Sequence, residues 1–401
     1  MGTPRLVSAD PDSGKLPDVV LNNLDARTTD AVNVVKGTPS YVTTDTARAA
    51  RFNPTQSVFN LDPTKLRTAR GAFARAAAGT GEARVAFLGD STVAGNGASP
   101  GETDWPSWFR RILAQRGYPI ANPGASQLNK DSALLQVDPH MVFASTGWTR
   151  PVAASGLMQA AASGGAVTYT SPHTGTVVRI GHNDFGGPFT VQIDGGTAVT
   201  VTPGTGDTGR VVREFTGLAN TTHVVAVTAT TGNVAQVFDI EVGYPAGTTG
   251  VSFRNLGIGS TTMEQVNTNS KFGTLQVARA FNPHLVFICS EINGLGGSSP
   301  RPLASYKADT SAVVTEALSW GATVVLVTAN PVQGLTDNGS YQQYTNALYE
   351  VALEKGVALI DHQARWTWAA LQAATLMADT AHPNPAGYRE LALTNIGALG
   401  L

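Results

Sequence analysis

Four short, unbroken apolar runs constrain this chain more than any other feature: Arg84-Val-Ala-Phe-Leu, Pro283-His-Leu-Val-Phe-Ile-Cys, Ala322-Thr-Val-Val-Leu-Val and Val357-Ala-Leu-Ile. Successive strand residues point to opposite faces, so a strand that is apolar at every position must be covered on both. Segments with helical spacing lie around these runs. Leu66, Ala69, Phe73 and Ala77 predict a helix within 63–80, with Gly79 as its stop. Further helices are expected near 303–320, 340–355, 363–377 and 385–398. Strand alternating with helix predicts an α/β fold, a parallel sheet with helices on both faces.

That pattern is interrupted. From Gly164 to Val251 the runs become short and alternating, as in Ala166-Val-Thr-Tyr-Thr, Phe189-Thr-Val-Gln-Ile-Asp-Gly-Gly, His223-Val-Val-Ala-Val-Thr-Ala and Val237-Phe-Asp-Ile-Glu-Val. Period-two runs about ten residues apart, separated by Gly, Asn, Asp and Pro, predict an antiparallel β-sandwich. The sandwich is therefore an insertion into the α/β layer. The expected divisions are an extended arm over 1–62, a first α/β part over 63–145, the sandwich over 146–250 and a second α/β part over 251–401. The arm is polar, with turn signals at Gly37-Thr-Pro-Ser and Phe52-Asn-Pro-Thr.

Composition excludes several functions. Hydrophobic residues make up 42% of the 401, enough for substantial cores. A net charge of −2 leaves no overall electrostatic footprint for nucleic acid or an anionic membrane. No run of 18 apolar residues is present, so no membrane span is expected, and the first residues lack the apolar stretch of a secretory signal. One cysteine, Cys289, rules out an intrachain disulfide and a Cys-based metal site; inside an apolar run it reads as a small core residue. His140, His173, His223 and His284 lack metal-ligand spacing, so neither metal nor cofactor is expected.

Two segments carry chemistry. Leu88-Gly89-Asp90-Ser91-Thr92 follows the first apolar run, putting a serine where open α/β sheets bind ligands, outside the carboxyl ends of their strands. A serine there is a weak nucleophile until a base takes its proton and amide groups await the oxyanion. Near the end, Asp379-Thr-Ala-His382-Pro-Asn-Pro-Ala-Gly-Tyr sets a carboxylate and an imidazole three residues apart, close enough to meet within one turn. Taken singly, each also reads as ordinary structure: a strand-to-helix loop, and an N-cap beside a surface histidine. Asp361-His362 is a rival pair, but adjacent residues near a strand end point apart. His182-Asn183-Asp184 reads as a polar turn. Trp105, Trp108 and Phe109 read as the packing face of a helix, with Trp105 near enough to the serine to line its cleft.

Together these segments resemble the SGNH (GDSL-type) serine hydrolase family. Gly89-Asp90-Ser91 matches its nucleophile block and Asp379-Thr-Ala-His382 its last block. The second block aligns with Asn255-Leu-Gly257-Ile-Gly259-Ser260, where ungapped alignment puts Ser260, not Gly259, at the usual oxyanion glycine. The third aligns with Glu291-Ile-Asn293-Gly294, keeping the amide but replacing the flanking Gly and Asp. A glutamate there opposes an oxyanion unless it points away. The resemblance implies a flavodoxin-like sheet, Ser91 as nucleophile, His382 as base, Asp379 as its orienting acid, and an oxyanion hole from the Ser91 and Gly259 or Ser260 amides and Asn293.

The interrupting segment resembles the jelly-roll carbohydrate-binding modules of polysaccharide esterases, although a sandwich used for subunit packing fits its pattern equally. With no long apolar lid for an acyl chain, an O-acetyl ester on a polysaccharide or cell-wall glycan is the expected substrate. Leu16-Pro-Asp-Val-Val-Leu-Asn-Asn-Leu-Asp-Ala-Arg-Thr resembles the attachment leaders of phage tail proteins. That implies a virion component and a homo-oligomer, for instance a trimer, in contact with other tail proteins. A cytoplasmic enzyme, or one released without a signal, is the other setting. The alternative function is a glycan-binding tail protein whose hydrolase layer is weak or inactive, for which the altered third block argues.

Overall fold

The computed structural model describes residues 58–127, 138–143, 148–149, 159–161, 164–206, 209–230, 234–268, 273–295, 300–335 and 339–401. Residues 1–57, most of the predicted arm, therefore lie outside the described residues.

The apolar runs form one seven-stranded sheet in the order Val58–Phe59, Ala358–Ile360, Thr323–Val327, Leu285–Cys289, Glu82–Gly89, Gly250–Gly257, Ile120–Asn122. All neighbours are parallel except the edge strand Val58–Phe59, which pairs antiparallel with Ala358–Ile360. The five central strands, counted along the chain, run 2-1-3-4-5, the flavodoxin-like order. The order reverses between Glu82–Gly89 and Leu285–Cys289, and there the carboxyl ends open a crevice.

Both faces are covered. Leu88, Leu256, Val286, Ile288, Val324, Leu326 and Leu359 pack on one side with the helices Thr274–Phe281, Leu303–Ser319 and Gly339–Lys355. On the other side Val85, Phe87, Phe253, Phe287, Val325 and Ile360 meet Arg67–Ala77, Trp105–Gln115 and Pro385–Leu399. Phe87 and Phe287 stack at 5.0 Å, with Trp105 edge-on to both. Trp105 is fully buried in this cluster, so it packs rather than lines a cleft. The expected helix over 363–377 is instead two short ones, His362–Arg365 and Trp368–Ala373. Trp366 leaves helical geometry to stack on His362, and the Thr367 side chain then accepts from the Ala370 N–H to start the next helix.

Between Ile120–Asn122 and Gly250–Gly257 the strands are antiparallel and form two sheets. One has the order Val199–Val201, Phe189–Ile193, Val224–Ala229, Ala166–Thr170, Met141–Phe143. The other has the order Arg210–Phe215, Val177–Asn183, Ala235–Gly243, Gln159–Ala161, Trp148–Thr149, with Ala125–Gln127 added beside Ala235–Gly243. They share one apolar cluster that includes Trp148, Val167, Tyr169, Val178, Ile180, Phe189, Val227 and Ile240. Val177–Asn183 is buried along its whole length, which the alternating sequence pattern does not predict. Its second face carries charges that find partners instead of water. Arg179 bonds Glu214, Glu241 and the Tyr244 carbonyl, and Glu241 pairs with Arg254 at 2.5 Å on the parallel strand Gly250–Gly257. Arg210 grips Asp239 through two bonds of 2.7 and 2.8 Å. A polar face thus lies against the α/β layer through paired charges, an arrangement that costs desolvation but fixes the fit.

Candidate active site

The strand Glu82–Gly89 delivers the serine. Its last residue, Gly89, lies so close to its neighbour that a Cβ there would stand 1.9 Å from the Cys289 carbonyl oxygen. Asp90 is extended (φ −98°, ψ −153°) and its Oδ1 accepts the Thr92 N–H at 2.9 Å, capping the four-residue helix Ser91–Ala94. Ser91 is the first residue of that turn and is 6% exposed.

Residues 376–384 fold over this turn. Asp379 Oδ1 accepts the N–H groups of Ala381 and His382, both at 2.7 Å. The same carboxylate holds His382 Nδ1, at 2.8 Å from Oδ2. Asp-x-x-His therefore closes within one turn. Because a carboxylate only accepts, the Nδ1 proton is fixed and Nε2 is left as the acceptor. Ser91 Oγ lies 2.8 Å from that nitrogen, across 291 residues of chain. Burial pushes the Asp379 carboxyl up, but the Ala381 N–H and the His382 imidazole outweigh it and hold the group below its ordinary value. The helix Pro385–Leu399 starts just after, with Asn384 as its cap and Pro385 in the first turn.

The other two motif segments meet beside the serine strand. Ile258 N–H bonds the Gly89 carbonyl at 3.0 Å, and Asn255 Nδ2 bonds the Val93 carbonyl at 2.9 Å. The turn that follows is left-handed at Ser260 (φ 61°), whereas Gly259 has no positive φ. The backbone that glycine tolerates best therefore falls on Ser260. Asn293, in the short helix Ile292–Leu295, donates from Nδ2 to the Thr261 carbonyl at 3.1 Å, and Ser290 Oγ donates to the same oxygen. Glu291 does point away. Its Oε1 accepts from Thr345 Oγ1 at 2.7 Å, and its Oε2 accepts from Gln363 Nε2 at 2.9 Å and Ala329 N at 3.2 Å. Sequence reading missed these supports, because nothing local at Thr261, Thr345 or Gln363 marks a residue that acts through a distant partner.

The rival constellations do not form a site. Asp361 is a buried cap that accepts from the Gln363 and Ala364 N–H groups, Thr328 Oγ1 and Tyr349 Oη. His362 is buried against Trp366, and burial takes its imidazole down to about 3. The unfolded chain then binds a proton below about pH 6.5 that the folded chain refuses. Stability should therefore fall as pH drops from 6.5 toward 3, by about 1.4 kcal/mol per pH unit at most. His362→Phe should flatten that limb in urea titrations. His182 and Asn183 end the buried strand Val177–Asn183 rather than forming a turn, and His182 packs edge-on to Phe189. That strand is drawn out to Asn183 because its ladder partner Arg210–Phe215 pairs all the way to that residue. Cys289 is buried and its thiol is pushed well above its ordinary value by burial, so it is no nucleophile.

Asp90 shapes the turn at a cost. Burial raises its carboxyl from 3.8 to about 6, and Oδ2 has no hydrogen-bond partner among the described residues. The stability carried by the protonated form is present below about pH 4 and lost as pH rises through 6. Asp90→Asn, which keeps an oxygen for the cap, should raise stability at pH 8 by up to about 3 kcal/mol and have little effect at pH 4. Denaturant unfolding at the two pH values checks this.

A cleft borders the serine turn at the edge of the parallel sheet. Ala94, Asn255 and Gly257 line it on one side and Tyr169 and His173 of the antiparallel layer on another, with Asp104, Arg110, Gln127 and Asp138 also at its wall. Ser91, His382 and Asp379 are not among its lining residues.

A hydroxyl, an imidazole and a carboxylate in hydrogen-bond series at the carboxyl rim of an open α/β sheet are the equipment of a serine hydrolase. Residues 243–390 match the model of the GDSL-like Lipase/Acylhydrolase family. Over these residues the chain is similar to the GDSL (SGNH) acylhydrolases, which supports a carboxylic ester hydrolase. The matched segment contains the second, third and last motif blocks, while Ser91 lies before the antiparallel strands. Among solved structures, the chain is similar to "Peptidoglycan O-acetylesterase in action", with 16% identity, TM-score 0.59, 86% of this chain and 98% of that one covered. It also matches a carbohydrate esterase family 2 enzyme plus carbohydrate binding domain from Corynascus thermopiles (Myceliophthora fergusii). There the identity is 15%, the TM-score 0.32, and the coverage 65% of this chain and 100% of that one. At such identity the likeness is one of fold. No curated protein matches the sequence. Among the described residues, no helix is long and apolar enough to cross a membrane.

Proposed function

We propose that the protein is a serine esterase that removes small acyl groups, O-acetyl above all, from a polysaccharide or cell-wall glycan. The observation that carries this reading is the unbroken series Asp379–His382–Ser91, with contacts of 2.8 Å at each step. Ser91 Oγ attacks the ester carbonyl as His382 Nε2 takes its proton, and His382 returns that proton to the leaving sugar oxygen. Water then repeats the sequence on the acyl-serine, while Asp379 keeps the imidazole oriented and stabilises its charged form. The oxyanion is held by the Ser91 N–H, by the N–H of Ser260 or Gly259, and by the Asn293 amide. The left-handed backbone at Ser260 favours that residue over Gly259.

Two observations support a sugar ester over a lipid. The adjoining cleft has Asp104, Arg110, Gln127, Asp138 and Asn255 in its wall, a polar lining that suits sugar hydroxyls more than an acyl chain. The peptidoglycan O-acetylesterase shares the fold across most of both chains. In this reading the two antiparallel sheets are an inserted jelly-roll-like sandwich that presents the glycan to the rim; because Ala125–Gln127 and Met141–Phe143 pair into those sheets, they reach before the expected boundary at 146. An attachment role for the arm, and with it a tail-protein setting and an oligomer, rests on the sequence of residues 16–28 alone. The test is acetate release from O-acetylated peptidoglycan and from acetylated xylan, with p-nitrophenyl acetate as a small reference ester. Release of acetate by the wild type but not by Ser91→Ala supports the reading, and equal rates in both proteins overturn it.

A further inference from the structure

Glu291 occupies the third motif block where a small residue is usual, and its carboxylate is fully buried. A buried carboxylate is costly unless every oxygen finds a donor. Here the donors come from three separate elements: Thr345 in the helix Gly339–Lys355, Gln363 in the helix His362–Arg365, and the Ala329 backbone beyond the strand Thr323–Val327. The residues around Glu291 reach the opposite way, since Ser290 and Asn293 both bond the Thr261 carbonyl in the turn that carries Gly259 and Ser260. The peptide at 290–293 is thus held on one side by the second motif block and on the other by the helical layer. Burial raises the Tyr306 and Tyr341 hydroxyls, and the nearby Glu291 charge adds to the rise in both.

We propose that Glu291 is a positioning residue for the oxyanion hole: its carboxylate fixes the 290–293 segment so that the Asn293 amide, steadied by Thr261, meets the oxyanion without reorganising. The inference rests on the esterase reading above. An oxyanion donor is effective only when held in place before charge develops, so loosening its support reduces kcat and leaves ground-state binding largely intact. Glu291 acts through Asn293, and removing the amide first leaves the anchor nothing to position.

The experiment is a double-mutant cycle on p-nitrophenyl acetate with Asn293→Ala, Glu291→Ala and Glu291→Gln, with thermal unfolding measured on each protein. Asn293→Ala should lower kcat by about 10²–10³-fold. Glu291→Ala should lower kcat by about 10- to 100-fold with KM changed less than about threefold, and in the Asn293→Ala background it should cost less than about twofold more. Glu291→Gln keeps the shape but turns an NH₂ toward donors, and should fall between. If Glu291→Ala does not fold, the Gln variant runs the same cycle. A loss of equal size in both backgrounds, or wild-type kcat in a variant whose melting temperature alone falls, overturns the proposal. Failure of the esterase reading looks different: Ser91→Ala would then match the wild type in the same assay.

Discussion

Ser91→Ala is expected to lower kcat for p-nitrophenyl acetate about 10⁴-fold or more while changing stability by about 1 kcal/mol. The first figure follows from the loss of the covalent path, since the imidazole then has no hydroxyl to activate and only oxyanion donors and binding remain. The second follows because the substitution removes one oxygen and one hydrogen bond, that to His382 Nε2, from a turn whose cap at Asp90 and closing bonds are untouched. His382→Ala should produce a loss of similar size, and the double variant little beyond either. The measurement is initial rates at saturating ester together with a melting curve. A Ser91→Ala protein retaining more than a hundredth of wild-type kcat would place the chemistry elsewhere.

The second large effect is structural. Gly89→Ala should abolish soluble expression or cost about 4 kcal/mol or more, a large part of the stability of a typical domain. The added Cβ would stand 1.9 Å from the Cys289 carbonyl and 2.6 Å from Val93, at the junction of the central strands and the serine turn. Neither neighbour can yield: the carbonyl already accepts the Asp90 N–H at 3.2 Å, and Val93 is buried in the turn. To admit a methyl group, Glu82–Gly89 and Leu285–Cys289 would have to part at the carboxyl rim, which would also pull Ser91 away from His382. Soluble yield and urea unfolding measure the first consequence, and residual activity per folded molecule the second.

Much of this was legible in residue patterns. The unbroken apolar runs announced strands covered on both faces, because no other environment accepts apolar side chains pointing in both directions. Asp379 and His382 were legible because three residues is the span of one turn, and their pairing needs nothing from elsewhere. What stayed hidden depends on distant partners. Val177–Asn183 reads as half-exposed because its alternate residues are polar, yet Arg179 is buried by pairing with Glu214 and Glu241. Glu291 looked like a hindrance to the oxyanion because the residues that turn its carboxylate aside, Thr345, Gln363 and Ala329, are far from it in sequence. The break at Trp366 was equally invisible, because helical spacing continues through it and only the stacking on His362 ends the first turn.

The central parallel pair joins residues 82–89 to 250–257, aligned in register over eight positions. Two segments that far apart find each other only after a long loop has closed, a slow step whose entropic cost falls when the intervening chain has already condensed. The interrupting strands therefore act as an internal tether, shortening the distance that the rim must search. The imidazole lies 291 residues after the hydroxyl, so on a ribosome the hydroxyl waits, already synthesised, until residue 382 has emerged. Regain of turnover after dilution from denaturant should accordingly trail the return of secondary structure, making catalysis a reporter of the final docking event.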